Sequence, residues 1–215
     1  MSLTALADRA AGHALDIFGT LAARREDGLG DGTIALLGPR EPGFWRHVTA
    51  MPEFTDGERD PLDRWSARVI GAVAEDLGGV ALFPFGEPVL PFFTWATLSG
   101  RAWQSPVMLL VHDRAGLMVS YRGAVFLPQT HRPEPPRVSP CVTCPGKPCL
   151  SACPAGALTG EGYDLDACHA YLDTPAGVEN LSRGCAVRRA CPVSQNYGRS
   201  EKRSAFHMEQ FHPCR

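Results

Sequence analysis

Residues 141–154 read CVTCPGKPCLSACP, four cysteines in the spacing C-x2-C-x4-C-x3-C with a proline directly after the fourth. Cys168, Cys185 and Cys191 follow, the last again followed by proline, and Cys214 stands near the end. No cysteine occurs in the first 140 residues. A disulfide framework belongs to secreted chains and would staple the whole sequence. The N-terminal stretch MSLTALADRAAGHALDIFG lacks a basic start, and Asp8, Arg9 and Asp16 interrupt its apolar residues, so a secretory leader is not expected and the cytoplasm is the expected compartment. In a reducing compartment, clustered cysteines point to metal binding.

The spacing favours an iron–sulfur cluster over a single ion. Bacterial ferredoxins use C-x2-C-x2-C-x3-C-P, so the middle gap here is two residues longer. The first three thiolates of such a motif wrap one cubane, while the fourth turns away toward a second cluster. Gly146 and Pro148 allow the lengthened loop to curl without a bulky side chain in the way. With ligands crossed in this fashion, Cys141, Cys144, Cys149 and Cys191 hold one [4Fe–4S] cluster. Cys153, Cys168 and Cys185 begin a second, whose fourth ligand is Cys214, a non-cysteine group, or none because the second cluster is absent. Zinc also accepts four cysteines, but typically from two separated C-x2-C knuckles. Four cysteines within thirteen residues and two Cys-Pro signatures fit it less well.

The rest of the chain has ordinary globular composition, 44% hydrophobic and 20% charged, with a formal net charge of −2. That charge gives no reason to expect nucleic acid or an anionic membrane as partner, and no apolar run approaches the ~18 residues of a span. Residues 2–25 read as an amphipathic helix, with Leu3, Leu6, Ala10, Ala14, Phe18 and Leu21 near helical spacing. Thr33–Leu37 reads as a strand closed by Gly38–Pro39. Residues 60–77 predict the clearest helix, capped by Asp60, with Pro61 in its first turn, an apolar face of Leu62, Trp65, Val69, Ile70, Val73 and Leu77, and a stop at Gly78–Gly79. Val80–Phe83 reads as a strand. Val107–Val111 and Leu117–Phe126 flank His112–Gly116, which predicts a β-hairpin. The expectation is an α+β chain in which residues 1–130 form a mixed α/β domain with a mixed sheet. A proline-rich linker, 131–140, and a small iron–sulfur domain, 141–215, follow it.

Several other features weigh on function. GLGDG at 28–32 is not preceded by a strand and reads as a loop. Trp45, Trp65, Trp95 and Trp103 fall in the first domain and read as core, with Trp95 and Trp103 also able to face a flat cofactor. Lys147, Arg188 and Arg189 lie among the cysteines, where they would favour added negative charge and could dock an acidic partner. Arg188 and Arg189 equally suit a solvated turn. His169, His207 and His212 read as surface or packing residues.

The segments CPAGAL, DLDACHAYLDT with Cys168, and GCAVRRACP with Cys185 and Cys191 resemble the ferredoxin module of epoxyqueuosine reductases and related corrinoid-dependent reductases, including reductive dehalogenases. Residues 100–128, GRAWQSPVMLLVHDRAGLMVSYRGAVFLP, resemble the stretch that precedes the cysteines there. The resemblance implies a nitroreductase-like cobalamin domain before a ferredoxin-like domain, and an oxidoreductase ancestry. The family's catalytic aspartate has Phe85 at its place, with Glu87 two residues off, Ser105-Pro106-Val107 replaces a G-K-N element, and Cys185-x5-Cys191 has one cysteine fewer than the family's C-x2-C-x3-C-P. Three functions follow as expectations. The first is an electron-transfer protein serving a redox partner protein. The second is a reductase feeding a flavin or cobalamin held by residues 1–130. The third is a purely structural metal site.

Overall fold

The structure, a computed structural model, describes residues 2–132, 134–135 and 137–213. It is α+β, about 40% helix and 15% strand, with small antiparallel sheets. Two compact units are present, Met1–Arg101 with Ser120–Arg137, and Ala102–Val119 with Val138–Arg215. The expected contiguous division differs from this at one place: residues 102–119 pack with the cysteine segment.

In the first unit, α1 (Leu3–Gly12) begins at Ser2, whose hydroxyl accepts from the Ala5 N–H. The chain then turns through Ala14 at φ 54° into β1 (Leu15–Ala22). A helix over 2–25 was the sequence expectation, and it ends halfway. Phe18 and Leu21 follow the helical spacing, but pairing with β2 (Thr33–Pro39) makes this stretch a strand, with a register shift between Ile17 and Gly19. β2 is buried along its whole length, the pattern of a strand covered on both faces. A short helix α2 (Phe44–Val48) precedes α3 (Pro61–Asp76), which buries Leu62, Trp65, Val69, Ile70 and Val73 as the 3.6 period requires. Pro61 opens α3, where its missing N–H costs nothing. Asp60 precedes it in the left-handed region and makes no side-chain cap, contrary to expectation. The helix stops where Gly78 takes φ 54° and the Leu77, Gly78 and Gly79 N–H groups donate back to Ala74 and Glu75 carbonyls. β3 (Val80–Leu82) and α4 (Phe92–Leu98) follow.

The chain then supplies β4 (Ala102–Gln104) and β5 (Leu110–His112) to the second unit and returns with β6 (Gly123–Leu127) to the first. The first sheet has the order β1-β2-β6-β3, and every pair in it is antiparallel, where a mixed sheet was expected. The expected hairpin between 107–111 and 117–126 does not form. Residues 112–116 close on themselves through paired His112–Gly116 backbone bonds, and the buried His112 Nδ1 accepts from the Arg114 and Ala115 N–H groups. β5 therefore pairs with β4, and β6 pairs with β2 and β3. Trp95 is buried and donates its indole N–H to Asp27 at 2.8 Å, so it is core and presents no face to a cofactor.

The second unit continues with α5 (Leu165–Leu172), α6 (Val178–Arg183), α7 (Ala186–Ala190), α8 (Pro192–Asn196) and α9 (Glu201–Phe211). Its core joins Val107, Val111 and Leu117 to Cys149, Leu158, Val187 and Cys191, with Trp103 against it. Among the described residues no helix is long and apolar enough to cross a membrane.

Val69, 3% exposed on the inner face of α3, tests the first unit's core. Val69→Asp places an unpaired charge there and should cost about 3 kcal/mol or more in equilibrium denaturation. A wild-type transition would show that the stripe is not buried.

Candidate metal centre

The cysteine positions follow from three local devices. Gly146 (φ 67°) and Lys147 (φ 40°) turn the loop through the left-handed region, and Cys149 then sits on a short 3-10 turn, Pro148–Leu150. Cys191 stands at the N-cap of α8 in extended conformation, because Pro192 bars its predecessor from helical geometry and itself begins the helix. Cys168 lies in the first half of α5, whose N-cap Asp164 accepts from the Ala167 N–H at 2.9 Å.

Cys141, Cys144, Cys149 and Cys191 line one cavity of about 230 Å³. Its remaining wall is largely apolar, with Pro106, Val111, Leu117 and Val193, while Ser105 and Lys147 also reach it. Burial pushes the Cys149 thiol above its ordinary pKa, and the thiols of Cys141 and Cys191 add to the shift. Cys141 is raised by burial too, against a pull from Ser139, with Cys191 and then Cys144 adding to the rise. The four sulfurs thus feel one another, although Cys191 comes from a segment far along the chain. All seven described cysteines are free thiols.

The remaining three form a second neighbourhood. Burial raises the Cys168 thiol, the Tyr163 hydroxyl at 3.3 Å opposes this, and Cys185 and Cys153 push it further up. Tyr163 itself is raised, first by burial and then by Cys168. Cys214 lies outside the described residues. Among the described residues no three His, Cys, Asp or Glu side chains gather tightly enough to hold one metal ion.

The basic side chains brace the unit instead of lying in solvent. Arg188 is half-buried and donates to the Leu117 carbonyl, with Cys185 and Tyr163 close enough to favour its charge against the cost of enclosure. Arg189 donates to the Gly184 carbonyl at 3.0 Å and pairs with Glu179 at 3.1 Å. Arg199 reaches the Met118 carbonyl. His169 and His212 face each other, Nδ1 to Nδ1 at 2.6 Å, and His212 also meets Asp173 at 3.0 Å. Phe211 stacks on His169 and on Tyr163. These histidines pack, as expected.

Sequence reasoning did not place Ser105, Leu117 or Tyr163 at the cysteines. Tyr163 is five residues before Cys168, which is within reach of a careful reader. Ser105 and Leu117 come from a segment with no cysteine in it, and nothing in their local pattern signals the approach. No family model matches the chain, and no curated protein matches it.

Gly116 makes this arrangement possible. At φ 56°, a Cβ there would lie 2.4 Å from the Ser194 backbone nitrogen in α8. Gly116→Ala should therefore destabilise the protein by roughly 2 kcal/mol or more, through left-handed strain and the displacement of α8. Chemical denaturation with an unchanged midpoint would contradict the close approach.

Proposed function

We propose that the protein is an iron–sulfur electron-transfer protein whose second unit is ferredoxin-like and whose first unit is nitroreductase-like. One observation carries this: Cys191, the cysteine that closes the second cysteine group and precedes Pro192, lines the same cavity as Cys141, Cys144 and Cys149 of the first motif. The crossed ligand set was an expectation from spacing, and the cavity supports it.

The donor chemistry fits a cluster. An all-sulfur set selects soft metals, chiefly zinc and iron–sulfur. A single zinc, with bonds of about 2.3 Å, draws its sulfurs to within roughly 4 Å of one another. A cubane keeps its thiolates apart by its own width, around a volume, and here the thiols stand around a cavity. Buried thiols raised by one another are poor anions when alone, and a cationic core relieves that repulsion as their protons leave. A bound [4Fe–4S] cluster supplies reversible one-electron chemistry. The chain's own part is to hold it with Cys141, Cys144, Cys149 and Cys191. Pro106, Val111, Leu117 and Val193 keep water from it, and Lys147 sets a positive charge beside Cys141. A redox partner protein is the natural counterpart of such a centre.

The second neighbourhood, Cys153, Cys168 and Cys185, fits a further cluster in the same reading, and Cys214 is the one cysteine left to complete it. His212 rests on His169, next to Cys168 in sequence, and two more residues span at most about 7 Å.

Anaerobic reconstitution tests the proposal. The wild type should bind iron and sulfide in equal amounts and show a reversible redox wave, which zinc lacks. Cys191→Ala should lose about four irons per chain. Unchanged iron in that variant overturns the crossed ligand set, and a wild type without sulfide overturns the cluster. Cys214→Ser should lose the second cluster alone, and full iron retention would exclude Cys214 as its ligand.

A further inference from the structure

The wall of the thiol cavity contains a hydroxyl with nothing to bond. Ser105 follows β4, is 5% exposed, and its Oγ is buried without a hydrogen-bond partner. Its backbone is fixed on both sides. The Ser105 N–H donates to the Leu109 carbonyl at 2.8 Å, and its own carbonyl accepts from the Met108 N–H at 2.9 Å. Only side-chain rotation remains, and no rotation takes so enclosed a hydroxyl to bulk water. A buried hydroxyl left unpaired costs about 1–3 kcal/mol, so its persistence calls for an acceptor. Among the lining side chains Pro106, Val111, Leu117 and Val193 offer carbon, Lys147 is a donor, and the acceptors are the Thr143 hydroxyl, which is exposed, and the cysteine sulfurs. The buried ones are sulfur, at Cys149 and Cys191.

We infer that the Ser105 hydroxyl donates a hydrogen bond to sulfur of the cluster bound in this cavity, and that the bond sets the cluster's reduction potential. The inference rests on the cluster reading above. Reduction adds an electron to the core and makes its sulfurs better acceptors. A fixed donor is therefore worth more in the reduced state and raises the potential. Ser105 binds no iron and moves no proton, and its effect is on the potential alone.

The test uses the full chain, reconstituted anaerobically, with iron and sulfide content and the midpoint potential of the EPR-active reduced state as readouts. Ser105→Ala should keep its iron and shift to a more negative potential. The reduced-to-oxidised ratio at fixed potential should fall about tenfold, which is about 59 mV for one electron. Ser105→Thr and Ser105→Val form a near-isosteric pair that separates the hydroxyl from the shape of the site. Thr should stay near the wild type, and Val should follow Ala. Equal potentials for Thr and Val, or an unshifted Ala variant, overturn the role of Ser105 and leave the cluster reading intact. A wild type that takes up no iron and sulfide overturns the cluster reading, and this inference with it.

Discussion

Burying sulfur is the constraint on which the second unit depends. Its thiols are pushed up in pKa first by desolvation and then by one another, at Cys141, Cys149 and Cys168 alike. A core made of Val107, Val111, Leu117, Leu158 and Val187 with cysteines among them is small. The helices around it are short, eight residues in α5, six in α6 and five each in α7 and α8. Helices of that length do not persist on their own, because nucleation is costly and isolated helices need about 12–15 residues. Tertiary contacts must hold them, and the structure supplies arginines that tie separate segments through carbonyls: Arg188 to Leu117, Arg199 to Met118, Arg189 to Gly184. On the proposed reading a metal core adds its own binding energy to folding, which is how small metallo-units offset a limited apolar core.

Prolines follow Cys144, Cys153 and Cys191, and each has the same local effect. Each disfavours helical conformation for its cysteine, and where a helix follows, the thiol stands at that helix's mouth instead of along its side. At Cys191 this is visible directly, with ψ at 121° before the helical run of α8. The thiol therefore reaches back to a loop some forty residues earlier in the chain. Gly116 is the complementary device on the facing segment. It lets a backbone turn approach the α8 nitrogen more closely than any side chain would permit, and it carries Leu117 into the cavity wall.

Much of this was legible in the residues. α3 and β2 were clear because one has a strict helical stripe with a proline start and glycine stop, and the other is a bounded apolar run. That Cys191 comes to the same cavity as Cys141, Cys144 and Cys149 is what the grouping of the cysteines in sequence suggests. What failed did so for identifiable reasons. Phe18 and Leu21 continue the helical spacing of the first turns, and pairing with β2, with its register shift at Ile17–Gly19, overrides it. The apolar runs at 107–111 and 117–126 looked like two arms of a hairpin. A five-residue turn between them closed on its own His112, leaving the arms to different sheets. Ser105 was the least visible, since a lone hydroxyl before a proline carries no sign of what will face it. Its role emerges from burial, a property of the folded unit.

The two thiol neighbourhoods also differ in the charge they are given. The first has a neutral hydroxyl in its wall and an exposed lysine at its rim. The second has the Arg188 guanidinium, enclosed and anchored to a carbonyl, with Cys185 and Tyr163 beside it. A charge held inside protein acts through a lower effective dielectric than one at the surface, so the arginine's field is the stronger of the two at its site. Positive potential stabilises the more negative redox state. Were like clusters bound at both, the centre beside Arg188 would be the easier to reduce, and an electron entering at the first would run downhill to the second.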